Sequence, residues 1–227
     1  MKKLSFLLLI SLPIISVAQT EVPISIFMKD ANGRLLNDFS NSYKQEGSPF
    51  LLKEFCNANI VSTRGKSYTN IPANINLETS ELIFKSPENQ MLAVNIPVSR
   101  VTFYDCETGG KRVFMSGFSP VDRLTERSFY QLLDSGSVLL LKSYQSNYAE
   151  SKGYSESIPT RVYEQTTAYY AFLPSKGLIK MPRSISDIPA LLESDKKEKL
   201  NSFIRSNQLK PRNEADMVKL FSYYNSL

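Results

Sequence analysis

The sequence predicts an α+β protein: an antiparallel β-sheet or open barrel-like meander of about eight to ten strands, closed by a C-terminal pair of amphipathic helices. Three observations predict it. Short apolar runs with period-2 alternation recur from Phe50 to about Leu173, separated by Gly, Pro and Asn/Asp punctuation. Hairpin signals sit between several of these runs. After Pro182 the apolar spacing changes to i, i+3, i+4, which is the helical period.

Taken in order, the chain opens MKKLSFLLLISLPIISVAQT. Lys2 and Lys3 precede an apolar run from Leu4 to Ile15, and Ser16-Val17-Ala18 supplies small residues after it. Spanning a bilayer takes roughly 20 apolar residues, so this run is too short for an anchor and reads as a cleavable secretory signal, residues 1–18. Cleavage after Ala18 would leave Gln19 first. No cysteine stands near that point to carry a lipid, and no later run is long enough to span a membrane. The expected location is therefore the periplasm or the medium.

Residues 19–48 carry the weakest signal and are read as an N-terminal strand, Ile24 to Met28, or a mobile arm. In 49–175, the antiparallel β region, Phe50–Phe55 leads into Ala58–Thr63 and a turn at Arg64-Gly65-Lys66. In Ala73–Phe84, Ile75 and Leu77 alternate with polar neighbours, and Leu82 and Phe84 resume the pattern. Pro72, Pro87 and Pro97 are read as bounding these runs. Arg100–Asp105 and Lys111–Phe118 flank Gly109-Gly110, and Ser128–Leu133 meets Ser137–Tyr144 through Asp134-Ser135-Gly136. Two more strands are expected at Thr160–Tyr163 and Thr167–Leu173.

Residues 176–227 form the helical segment. A short helix is expected over Asp187–Leu192. Asp195 with Glu198 has the capping-box spacing before Leu200, Phe203 and Ile204. Asn213 and Asp216 precede the stripe Met217, Leu220, Phe221, Tyr224. Such helices with one apolar face each must pack on each other or on the sheet.

Composition narrows the function. Hydrophobic residues make up 42% and charged residues 22%, which is the balance of an ordinary globular protein. With Lys2 and Lys3 removed the balance is 25 basic against 22 acidic residues, too weak a charge for a nucleic-acid binder. The excess sits in residues 176–227, with 10 basic and 6 acidic side chains, a balance typical of a solvated helical face. The chain has no histidine, which removes the commonest general base and metal ligand. Ser-His-Asp and Cys-His hydrolases and HExxH zinc enzymes are excluded on that ground. No cofactor motif is present, so no cofactor is expected.

Three sets of residues stand out as candidates. Cys56 and Cys106 are an even pair; in an oxidising compartment they would close a loop of about fifty residues, worth roughly 4 kcal/mol, or else remain two buried thiols. Asp105 and Glu107, at i and i+2, would share a strand face and could converge on a sugar as a carboxylate-based hydrolase does; Asp122 with Glu126 is a second acid pair. Seven of the twelve tyrosines lie between residues 130 and 170. Among them Tyr144, Tyr148, Tyr169 and Tyr170 could form a stacking platform for a sugar or an aromatic ligand, or simply pair across strands.

The stretches GSPFLLKEFCNANIV, ANINLETSELIF, SFYQLLDSGSVLLLKSY and EADMVKLFSYYNSL, taken together, resemble a group of uncharacterised exported proteins of Bacteroidota. The resemblance runs from Gly47 onward. It implies one exported domain and carries no catalytic motif; Cys56 stands where that group has an aromatic. The function expected is a non-enzymatic cell-envelope module binding an envelope protein or a small apolar or sugar ligand. The alternatives are a periplasmic carrier of a lipid or other apolar molecule and the carboxylate hydrolase.

Overall fold

The computed structural model describes residues 24–36, 42–106, 110–154, 156–192, 195–210 and 213–227. Twelve strands form one mixed sheet that does not close on itself. They are β1 (Arg34–Leu35), β2 (Lys44–Glu46), β3 (Cys56–Ser62), β4 (Ser67–Asn76), β5 (Glu81–Lys85), β6 (Met91–Ala93), β7 (Val98–Cys106), β8 (Gly110–Met115), β9 (Tyr130–Asp134), β10 (Leu139–Ser151), β11 (Thr160–Leu173) and β12 (Gly177–Lys180). The spatial order is β1-β6-β5-β4-β3-β7-β8-β9-β10-β11-β12, with β2 alongside β11. Every pairing is antiparallel except that of β2 with β11, which is parallel. That one pair makes the sheet mixed where the sequence suggested a purely antiparallel one.

Cross-strand register divides the sheet into two faces. One row of directly opposed residues runs Tyr68, Ile60, Val101, Phe114, Gln131, Lys142, Tyr169 across seven strands. Opposed residues project to the same side, so this row marks a single face. Helices cover both ends of that face. α1 (Ile24–Ala31) seats Phe27 edge-on against Tyr68 and Phe84, with ring centroids 4.8 and 4.9 Å apart. At the far end, α2 (Ile188–Leu192), α3 (Lys197–Ser206) and α4 (Glu214–Ser226) bury Leu192, Leu200, Leu220 and Phe221 with Leu140 and Ala171. The opposite face is covered by the β8–β9 connection, whose Phe118 and Leu124 pack on Tyr130, Leu141 and Tyr170.

Several elements differ from the sequence reading for identifiable reasons. Residues 24–31 are a helix, not a strand: Ile24, Phe27, Met28 and Ala31 follow the i, i+3, i+4, i+7 stripe and pack in the core. The two strands expected at 160–163 and 167–173 are one continuous β11, because β10 runs to Ser151 and offers it thirteen paired positions. Strands β1 and β2 precede residue 48 and β12 follows residue 175. Pro72 lies inside β4, just before β5 begins to pair at Ala73. The Asp195–Glu198 capping box does not form: Lys196 holds the cap position of α3 with no side-chain cap. Asn213 does cap α4, accepting from the Asp216 N–H.

One connection holds two distant parts of the sheet. Lys44–Glu46 runs beside β11, and five residues later Leu51 donates to the Ile75 carbonyl while Leu77 donates to that of Pro49. Segment 44–51 therefore straps the end of β4 to the β10–β11 hairpin. Gln165 Nε2 clasps it by donating to the Phe50 carbonyl at 2.9 Å, and Ser146 Oγ donates to that of Ser48 at 3.2 Å. Gly47 allows the bend, with φ of +75° and its α-carbon turned toward the Tyr163 carbonyl.

Candidate functional site

A cleft of about 260 Å³ lies where the β5–β6 end of the sheet meets the β8–β9 connection. Its walls are apolar: Leu82, Val94, Ile96 and Phe129 contribute. Each is placed by local structure. Leu82 sits on β5 opposite Ile75, and Val94 is held just after β6 by its N–H bond to the Leu82 carbonyl. Arg34, Glu81, Glu126 and Arg127 add charge to the lining. Arg34 and Glu81 neutralise each other at 2.8 Å. Glu126 and Arg127 form no ion pair among the described residues, which leaves one cation and one anion available. Gly117, with φ of +91°, donates to the Glu126 carbonyl and so fixes the approach of this wall. No local pattern points to the cleft, because its lining comes from six separate short stretches.

The four tyrosines do not make one platform. Tyr169 and Tyr170 are adjacent on β11 and must point to opposite faces. Tyr170, 2% exposed, belongs to the loop face, ring-on-edge with Tyr130, its hydroxyl donating to Asp122. Burial raises the Tyr170 hydroxyl to about 12, and the Asp122 charge adds to that. Tyr144, Tyr148 and Tyr169 share the helix face but serve two clusters. In the first, Lys142 lies over the Tyr144 and Tyr169 rings and pairs with Glu214 at 2.6 Å, and the Tyr169 hydroxyl donates to the same carboxylate. Burial pulls the Lys142 ammonium down, but Glu214 and the tyrosine oxygens outweigh it and hold it above its ordinary value. Glu214 is the first residue of α4, so this cluster ties the helix to the sheet. In the second, the Arg161 guanidinium is sandwiched between the Tyr43 and Tyr148 rings, 4.1 and 4.3 Å from their centroids. Glu150 binds Arg161 at 2.9 Å and, with the rings, holds it charged. Both clusters read as packing.

The acid pairs are not assembled into a catalytic arrangement that can be described. Glu107 lies outside the described residues; Asp105 stands on β7. Asp122 is taken up by Lys180 at 2.7 Å, which lowers its carboxyl below the ordinary range, with Tyr170 assisting. Its sequence neighbour Glu126 lines the cleft instead. Asp105 aside, no Asp or Glu among the described residues is buried, and no group of three or more metal-ligating side chains gathers there. Cys56 begins β3 and Cys106 ends β7; these strands are paired, with Ala58 opposite Phe103, so both cysteines belong to the same end of the ladder. Among the described residues no helix is long and apolar enough to cross a membrane.

No protein-family model, curated protein or solved structure matches the chain.

Proposed function

We propose that this chain is an exported, non-enzymatic binding module of the cell envelope, taking a small ligand group, or a side chain of a protein partner, in the cleft at Arg127. The cleft carries the reading: its apolar lining gives contact area, while Arg127 and Glu126, which form no ion pair among the described residues, supply orientation. Its size sets the ligand class. Sites for drug-sized molecules run from roughly 300 to 1,000 Å³, so about 260 Å³ suits a sugar ring or a short apolar group better than a lipid tail. The densely filled helix face also favours a binding surface over a carrier cavity.

Native mass spectrometry of the protein purified gently from its own cells tests the reading. The expected species starts at Gln19 and carries a small molecule or a second polypeptide. Arg127→Ala and Val94→Trp, the latter filling the cleft, should each release it. A retained Met1 overturns export, and a ligand held equally by both variants overturns the cleft. A bound long-chain lipid would shift the assignment to the carrier, and turnover of a glycoside to the hydrolase.

A further inference from the structure

Among the described residues, one edge of the β10–β11 hairpin has no strand beside it. Along β10, the β9 side is paired at Leu140–Ser143 and no further. Beyond it, residues 145–151 have a strand on the β11 side alone among the described residues. The far side of this ribbon shows that it accepts an added strand, since β2 pairs with Thr160–Val162, directly across β11 from Ala149–Ser151. Proteins normally guard such an edge with a proline, a lysine, an inward charge or a bulge. The stretch QSNYAES has no proline and no lysine, and its ladder with β11 runs without a register shift. Asn147 to Ser151 are exposed, Tyr148 by 39%.

We propose that this edge pairs with the same edge of a second copy of the chain, antiparallel and centred on Tyr148. The sequence is self-complementary in that register. Tyr148 meets Tyr148 on the twofold axis, where two rings can stack offset. Asn147 falls opposite Ala149, Gln145 opposite Ser151, and Glu150 opposite Ser146, which is buried and donates to the Ser48 carbonyl of its own chain, so no like charges meet across the contact. The contact is isologous, so each copy uses up the edge it offers and assembly stops at two. An interface this short lies at the small end of specific contacts, which corresponds to a weak dimer with Kd on the order of 10–100 μM.

Sedimentation velocity on the full chain, from about 1 μM to about 500 μM, reads the equilibrium across that range. Wild type should pass from monomer to dimer. Asn147→Lys with Ala149→Lys sets lysine against lysine twice and should weaken association at least tenfold, about 1.4 kcal/mol. Asn147→Asp with Ala149→Lys sets opposite charges in the same two places and should tighten it. Both positions are exposed, and far-ultraviolet circular dichroism verifies that each variant folds. A monomer throughout the range overturns the proposal. So does a dimer indifferent to the lysine pair, or one that the Asp/Lys pair weakens as much as the Lys/Lys pair does.

Discussion

At the scale of single residues, the strongest polar constraint is Asn74, 1% exposed. Its Oδ1 accepts from the Leu52 and Ile75 N–H groups and its Nδ2 donates to the Leu52 and Glu54 carbonyls. Asn74→Ala strands several buried backbone groups and should cost about 2–3 kcal/mol in urea unfolding, well above the effect of a surface change. Asp30 makes a second prediction. The Lys66 hydrogen bond outweighs the opposing burial and lowers its carboxyl below 3.8, and Tyr68 donates to it at 3.0 Å. A carboxyl lowered in the folded state adds stability above pH 3.8 that disappears as pH falls through the lowered value. Unfolding midpoints measured from pH 5 to 2 should therefore fall more steeply for wild type than for Asp30→Asn. The same scale explains why Tyr144, Tyr148, Tyr169 and Tyr170 do not gather on one face. Counting tyrosines in a window ignores that Tyr169 and Tyr170, as neighbours on a strand, cannot share a face.

At the scale of elements, sequence pattern located most of the structure. The Asn213 cap and the last helical stripe stand where the spacing placed them, whereas the β9–β10 connection is longer than the expected tight turn: β10 starts only at Leu139 and Gly136 does not take a positive φ. The α1 stripe was present too, but Ile24 and Ile26 also alternate, and a window of eight residues supports either period. The cleft was illegible because no local pattern reports which distant loops meet. Pairing of β3 with β7 supports a disulfide between Cys56 and Cys106, two residues that sequence alone could only count. Mass spectrometry of alkylated protein should show no accessible thiol before reduction and two after it. Replacing both with serine should cost up to roughly 4 kcal/mol, and two free thiols in exported protein would remove the bridge from the account.

At the scale of the molecule, the sheet is continuous but unevenly fastened. β10 and β11 share thirteen opposed positions, whereas β8 and β9 share two, Phe114 with Gln131 and Met115 with Tyr130. That seam divides the α1 end from the helical end, and the strap 44–51 crosses between them by another route. Gly47→Ala introduces a methyl group 2.6 Å from the Tyr163 carbonyl oxygen at a positive φ, costing about 1–3 kcal/mol. The expected result is faster amide exchange in 44–51 and at Met115 and Tyr130, with the β10–β11 core unchanged. Exchange rising uniformly over the whole sheet would instead show that the strap has no particular role.

The strap also sets a timetable for the growing chain. Ser48 and Gln165, which meet in the finished protein, are 117 positions apart. Residues 44–51 leave the ribosome early and have no ladder on the β11 side until β11 has followed them. Through that interval a stretch of extended backbone stays unsatisfied, and joining it to β11 is the last stitch in the fabric. A chain built this way keeps one segment exposed until a pairing of high sequence separation closes over it, which slows the final stage of folding and makes that segment the natural target of a holding chaperone.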